Sequence, residues 1–400
     1  MRRIPLILAA GTMLLGLSAQ AEVSEEEFNE LKAQYAELSE KVDGKSDKAE
    51  AKSGSSWTDR MKMQGDFRYR YENIDQEGKE DRNRSRIRAR MNFIADLPQN
   101  VEIGFGLATG GDDPVSTNQT IGGGGSTKDI RLNLAYADWA PVEGLHLVAG
   151  KFKNRSLRVA KNGLMWDGDW TPEGLAVTYK KGWFFGNAMG SWLESDSKTS
   201  NSDFSWGGQV GVQFQPGGVK LKGGIGYYAF KTKGKSTFFG DPNDRSDYFG
   251  NTAVGATCEA ADGTCVYAFD YLMTQVFGEA EFGLFGIPTV LFVDFVNNSD
   301  PSENDTAWSA GTRIGKTKER GAVQFSYWYA DKEADALFGL LTDSDFAGGG
   351  TDNKGHFLKL AYGMNKTWTL DVQYFINKID VSTTEKDYNR LMLNTAWKFK

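Results

Sequence analysis

Two strings of arginine set the first question. Arg68 and Arg70 alternate with Phe67, Tyr69 and Tyr71, and Arg86, Arg88 and Arg90 alternate with Ile87, Ala89 and Met91. In an extended chain this puts the guanidinium groups on one face and the apolar groups on the other. In an antiparallel hairpin the two strings lie side by side, and Arg390 has the same parity in the last extended segment. Like charges in rows repel, so packing alone gives no reason for such a basic wall. Water, an anion or an acidic loop would stabilise it. The plainer alternative is that these arginines pair with Asp66, Glu72 or Glu102 and only hold the hairpin. The candidate counter-charges are Asp167, Asp169 and Glu173, set among Trp166, Trp170 and Pro172. Two tryptophans suit a loop folded onto a wall, and carboxylates facing arginines across an opening would create a transverse field that sets ion preference. An ordinary acidic turn is the competing reading. Calcium is a minor option, because the twelve-residue loop with its final Glu is missing.

Other chemistries find little support. The chain has two histidines, His146 and His356, and neither a Gly-x-Ser-x-Gly elbow nor a His-Glu-x-x-His motif. His146 has the parity of the polar face without an obvious partner, and His356 faces outward. The glycine run from Gly122 to Gly125 has no helix after it, so it reads as flexibility rather than a phosphate cradle. No catalytic residue, cofactor or metal is expected. Cys258 and Cys265 lie in a stretch rich in Gly, Ala, Asp and Thr. In an oxidising compartment they would form one disulfide; a metal site is the poorer alternative, with no histidine nearby.

The elements that must position these residues are strands. From Met61 onward, period-2 alternation recurs sixteen times, at about 61–72, 86–95, 101–107, 129–140, 145–152, 174–181, 184–194, 203–215, 219–230, 270–282, 288–297, 306–316, 321–332, 355–364, 368–378 and 387–399. Short connections such as 97–100, 141–144 and 216–218 alternate with long ones at 110–128, 153–173, 231–268 and 333–354. Tryptophans gather toward strand ends, as at Trp139, Trp183, Trp192, Trp206, Trp328, Trp368 and Trp397. A soluble β-sandwich also alternates, but it needs neither aromatic girdles nor rows of arginine. The expected fold is all-β: a transmembrane antiparallel β-barrel of about sixteen strands over 57–400. Composition agrees, with 47 glycines, 13% aromatic and 25% charged residues in 400. After residue 21 no apolar run is long enough for a spanning helix.

The segment before the barrel fixes the compartment. Arg2 and Arg3, the apolar stretch from Ile4 to Leu17 and Ala19-Gln20-Ala21 read as a signal peptide over 1–21, cleaved after Ala21. Without its two arginines the chain carries 44 basic and 53 acidic residues, a net charge of -9. That balance opposes nucleic-acid binding. In 22–43, Phe28, Leu31, Tyr35, Leu38 and Val42 form an a/d seam, either a short coiled coil or a solvated amphipathic helix on the periplasmic side. Residues 44–56 read as a flexible linker.

The signal peptide, the short helix, Gly150-Lys151-Phe152, the loop from Trp166 to Gly174 and the sixteen-strand pattern together resemble the Gram-negative outer-membrane porins. Within them the chain is most similar to the porins with an N-terminal coiled-coil segment, distantly akin to the phosphate-selective ones. The resemblance implies a homotrimer in outer-membrane lipid and a third loop folded inward. It implies passive diffusion of small hydrophilic solutes and ions, with a weak lean to anions expected from the arginines. A non-conducting structural protein or surface receptor, whose long loops bind a partner, is the alternative.

Overall fold

The computed structural model describes residues 30, 32–34, 60–195, 203–255 and 265–400. The signal peptide (1–21), the linker (44–56) and Cys258 lie outside the described residues. Of the expected helix over 22–43, Glu30 and residues 32–34 are described, and these are helical and exposed.

Sixteen long antiparallel strands form one closed sheet. They are β1 (Met61–Gln76), β2 (Arg82–Leu97), β3 (Val101–Thr109), β4 (Ile130–Val142), β5 (Leu145–Lys151), β6 (Glu173–Lys181), β7 (Phe184–Glu194), β8 (Asp203–Phe214), β9 (Lys220–Phe230), β10 (Tyr271–Leu284), β11 (Ile287–Asn298), β12 (Thr306–Gly315), β13 (Val323–Lys332), β14 (Asn353–Gly363), β15 (Trp368–Ile379) and β16 (Lys386–Phe399). The barrel closes where β1 meets β16, from Gly65 opposite Phe399 to Gln76 opposite Tyr388. Closure leaves no unpaired edge, which lipid would penalise heavily. No described helix is long and apolar enough to cross a membrane.

The alternation read from the sequence is the in–out alternation of the wall. On β1, Phe67, Tyr69 and Tyr71 are exposed outward, whereas Arg70 and Glu72 are buried inside. One aromatic departs from the girdle pattern: Trp328 shares the inward parity of Ser326 and Lys332, and stacks on Phe357 with centroids 3.8 Å apart.

The lumen is less open than a polar inner face alone would make it. The third loop (152–172), the described parts of the fifth loop (231–255 and 265–270) and the seventh loop (333–352) contribute an apolar core inside the sheet, with Trp166, Tyr267, Phe338 and Leu341 among its buried members. Trp166 stacks on Trp170 at 5.0 Å and meets Tyr228 of β9 edge-on, and Phe230 stacks on Phe338 at 5.1 Å. Burying each such ring stabilises the loops by about 1.5–3 kcal/mol. Asn251 ties the fifth loop to the seventh: its amide donates to the Ala334 and Leu337 carbonyls at 2.7 and 2.8 Å, and its oxygen accepts from Gly339 N at 2.8 Å.

Candidate functional site

The arginine strings stand side by side as their spacing predicts. Arg68 lies opposite Arg88 and Arg70 opposite Arg86, with Asp66 opposite Arg90 and Glu72 opposite Arg84. Each end of the cation ladder is therefore closed by a carboxylate on its own hairpin. Asp66 takes Arg88 at 2.9 Å and Arg90 at 2.8 Å. Glu72, fully buried, takes Arg84 at 2.7 Å, lies 3.6 Å from Arg86 and pairs with Arg390 across the closing seam. Glu102 instead accepts from Tyr136 at 2.8 Å.

Two further carboxylates reach the wall from the loops. Asp169, on the third loop, lies 2.8 Å from Arg90 and 3.4 Å from Arg88, and accepts from the Thr117 hydroxyl at 3.0 Å. Burial alone would raise its pKa, but Arg88, Arg90 and then Arg68 outweigh burial and hold it at about 2. Asp345, on the seventh loop, lies 2.9 Å from Arg70 and 3.1 Å from Arg390. Burial alone would raise its pKa, but these two arginines outweigh burial and keep it far below the usual carboxylate range. Arg68 meets no carboxylate within 4.0 Å among the described residues and donates to Asn118 Oδ1 at 2.5 Å.

Of Asp167, Asp169 and Glu173, Asp169 alone meets the arginines. Asp167 turns toward the seventh loop, where its backbone N–H donates to Leu341 O at 2.8 Å and its carboxylate accepts from Ser344 N at 2.9 Å. Burial, then the neighbouring Asp343 and Asp169, push its pKa well above the usual value. Glu173, at the start of β6, pairs with Lys151 at 2.7 Å. Buried Cys265 is not a free thiol. His146 has a partner after all: Asp138 lies 2.9 Å from its Nδ1, and that carboxylate also takes Arg155 at 2.9 Å. Among the described residues no hydroxyl or thiol is bonded to the His146 ring. His356 faces outward and meets the Tyr327 hydroxyl at 3.0 Å. No cluster of three or more metal-ligating side chains occurs among the described residues.

Sequence reading missed Arg84 and Asp345. Arg84 extends the string Arg86-x-Arg88-x-Arg90 by one step in the same parity. The signal for the seventh loop was the apolar run from Ala336 to Leu341, all buried, which an exposed loop has no use for.

The chain matches the profile of the family described as "Putative porin" over residues 75–252 and 264–399. No curated protein matches in sequence. Solved structures with a similar fold include Pseudomonas putida OprB, at TM-score 0.56 and 12% identity over 85% of this chain and 94% of that one. They also include Salmonella typhi OmpF in complex with daunomycin, at TM-score 0.51 and 10% identity over 85% and 97%. At these identities the likeness carries the fold alone, and the family rests on the profile. The chain belongs to that porin family and forms an outer-membrane β-barrel channel.

Proposed function

We propose that this porin is a water-filled channel for passive diffusion of small hydrophilic solutes and ions, narrowed by its third loop, with the seventh loop sharing that task. The observation that carries the reading is Asp169, a third-loop carboxylate ion-paired with Arg88 and Arg90 of the inner wall. Asp345 repeats the arrangement from the seventh loop with Arg70 and Arg390. The wall arginines then act as a partly neutralised basic lining rather than a bare one, which keeps any anion preference weak. Swelling of liposomes carrying the purified protein tests this: small sugars and amino acids should enter, and exclusion of both would remove the reading. The second reading, a non-conducting scaffold or receptor, is favoured by the apolar core that the third, fifth and seventh loops place in the lumen.

The finer organisation is proposed on the same footing. The barrel over 57–400 assembles as a homotrimer in outer-membrane lipid. Export uses the signal peptide, cleaved after Ala21. The helix over 22–43 lies in the periplasm, followed by the linker over 44–56, and either joins its copies below the trimer or touches the cell wall. Cys258 and Cys265 close a small external loop.

A further inference from the structure

Two cations outside the arginine hairpin, Lys161 and Arg313, also lack carboxylate partners among the described residues. At the tip of the third loop, Ala160 and Lys161 adopt left-handed backbone at φ 43° and 61°, a conformation that residues with a side chain hold only when their surroundings impose it. The surroundings are visible: Arg313 of β12 donates to Ala160 O at 2.8 Å, and Ala160 N donates to Glu279 of β10. Neither Lys161 nor Arg313 lies within 4.0 Å of a carboxylate among the described residues. Burial lowers the pKa of Lys161, and the charges that lower it further are Arg313, Lys398, Arg158 and Lys318, all cations. An anion placed here would relieve that repulsion.

Lys161 and Arg313 border a cavity of about 230 Å³ between the loop tip and the inner wall, which Lys359, Trp328, Phe357 and Phe375 also line. Its floor is a strip of rings. Trp328 stacks on Phe357 at 3.8 Å, Phe357 meets Phe375 at 4.8 Å, and Phe292 approaches Trp328 at 6.5 Å. The strip takes one ring each from β11, β13, β14 and β15. On β12 the corresponding position is Gly311, where a Cβ would come within 2.5 Å of the Trp328 Cβ. The Tyr327 carbonyl oxygen would lie closer still, so the glycine lets the two backbones approach. Asp343 and Asp345 also border the cavity. Asp345 is already taken by Arg70 and Arg390, and Lys359 lies 3.5 Å from Asp371. Asp343 meets no cation within 4.0 Å among the described residues; its Oδ1 accepts from Asp345 N at 2.9 Å, and burial and then Asp345 raise its pKa. The charges without an ion-pair partner at the cavity are thus Lys161 and Arg313 against Asp343, two cations to one carboxyl group.

We propose that this cavity binds small aromatic carboxylates, with Lys161 and Arg313 holding the carboxylate and Trp328 stacking on the ring. Inorganic anions would use only the cations, and sugars only the rings, so a ligand carrying both groups fits best. The volume lies below the roughly 300–1,000 Å³ of drug-sized pockets, which favours a single ring. The proposal deepens the channel reading and rests on it for its role in transport; binding itself needs no conduction.

Isothermal titration of the detergent-purified full-length protein with sodium benzoate tests it, with acetate, inorganic phosphate and glucose as comparators. Benzoate should bind saturably and about tenfold more tightly than any comparator. Lys161→Gln and Arg313→Gln should each weaken benzoate about tenfold, and Trp328→Leu should reduce it to the level of acetate. Heat-modified gel mobility shows which variants remain folded barrels, and any one folded variant suffices to read the site. Equal binding of benzoate and acetate, glucose binding as tight as benzoate, or folded variants with unchanged affinity would overturn the proposal. Chloride conductance of the same preparation separates the two claims. Benzoate binding without conductance removes the channel reading alone, and conductance without benzoate preference removes this site alone.

Discussion

Replacing Asp169 by asparagine removes the carboxylate that Arg88 and Arg90 share on the third loop. The side chain is only 12% exposed, so solvent screens it little. A pKa lowered from 3.8 to about 2 corresponds to about 2 kcal/mol favouring the charged form, at about 1.4 kcal/mol per unit. That is about thirtyfold in the balance between a loop docked on the wall and one released from it. The depressed pKa sets the pH window. The contribution is fully present above about pH 4 and is lost as pH falls toward 2. Two effects are expected in planar bilayers. Asp169→Asn should increase open-channel noise, because the loop is held less firmly. It should also move the reversal potential in a salt gradient toward anions, because one negative charge beside two guanidinium groups is gone. Acidifying wild-type protein from about pH 5 to 3 should reproduce the increase in noise, and the variant should show less of that change. A folded Asp169→Asn channel with wild-type noise and reversal potential would refute the argument that this carboxylate holds the loop and tunes the wall.

Neutralising Arg86, Arg88 and Arg90 together should shift the reversal potential toward cations, because Asp66 and Asp169 would lose their arginine partners; an unmoved potential would make those arginines purely structural pairs. Thiol labelling of the unreduced, denatured protein should find no reactive cysteine, and two labelled thiols would disprove the Cys258–Cys265 bond. Its small ring closes little chain entropy, so reduction should leave barrel melting nearly unchanged. Deleting residues 22–43 should preserve conductance while lowering the temperature at which the trimer dissociates; unaltered dissociation would remove the coiled-coil role.

The strands were legible because one physical rule writes them: a wall between lipid and lumen needs a change of polarity at every residue. The rule also locates Arg68, Arg70, Arg86, Arg88, Arg90 and Arg390 on one inner surface, since parity and closure are both countable. Trp328 obeyed it too. Its parity with Ser326 and Lys332 placed it inward, but an aromatic near a strand end looks the same in a girdle and in a lumen. Partners that depend on register or on loop packing were not readable. His146 meets Asp138 across a register shift between Trp139 and Val142, which alternation does not reveal. Asp345 reaches Arg70 from a residue 275 positions away, because buried side chains such as Phe338, Leu341 and Phe346 hold the seventh loop inside the barrel. Loop conformation of that kind comes from tertiary packing, and local sequence carries little of it.

The most direct test of the channel is single-channel recording of purified protein in a planar bilayer with symmetric potassium chloride. Discrete, long-lived conductance steps that scale with salt concentration are the predicted result. A correctly folded barrel that inserts and passes no current would contradict the account and leave the loop-filled scaffold as its replacement.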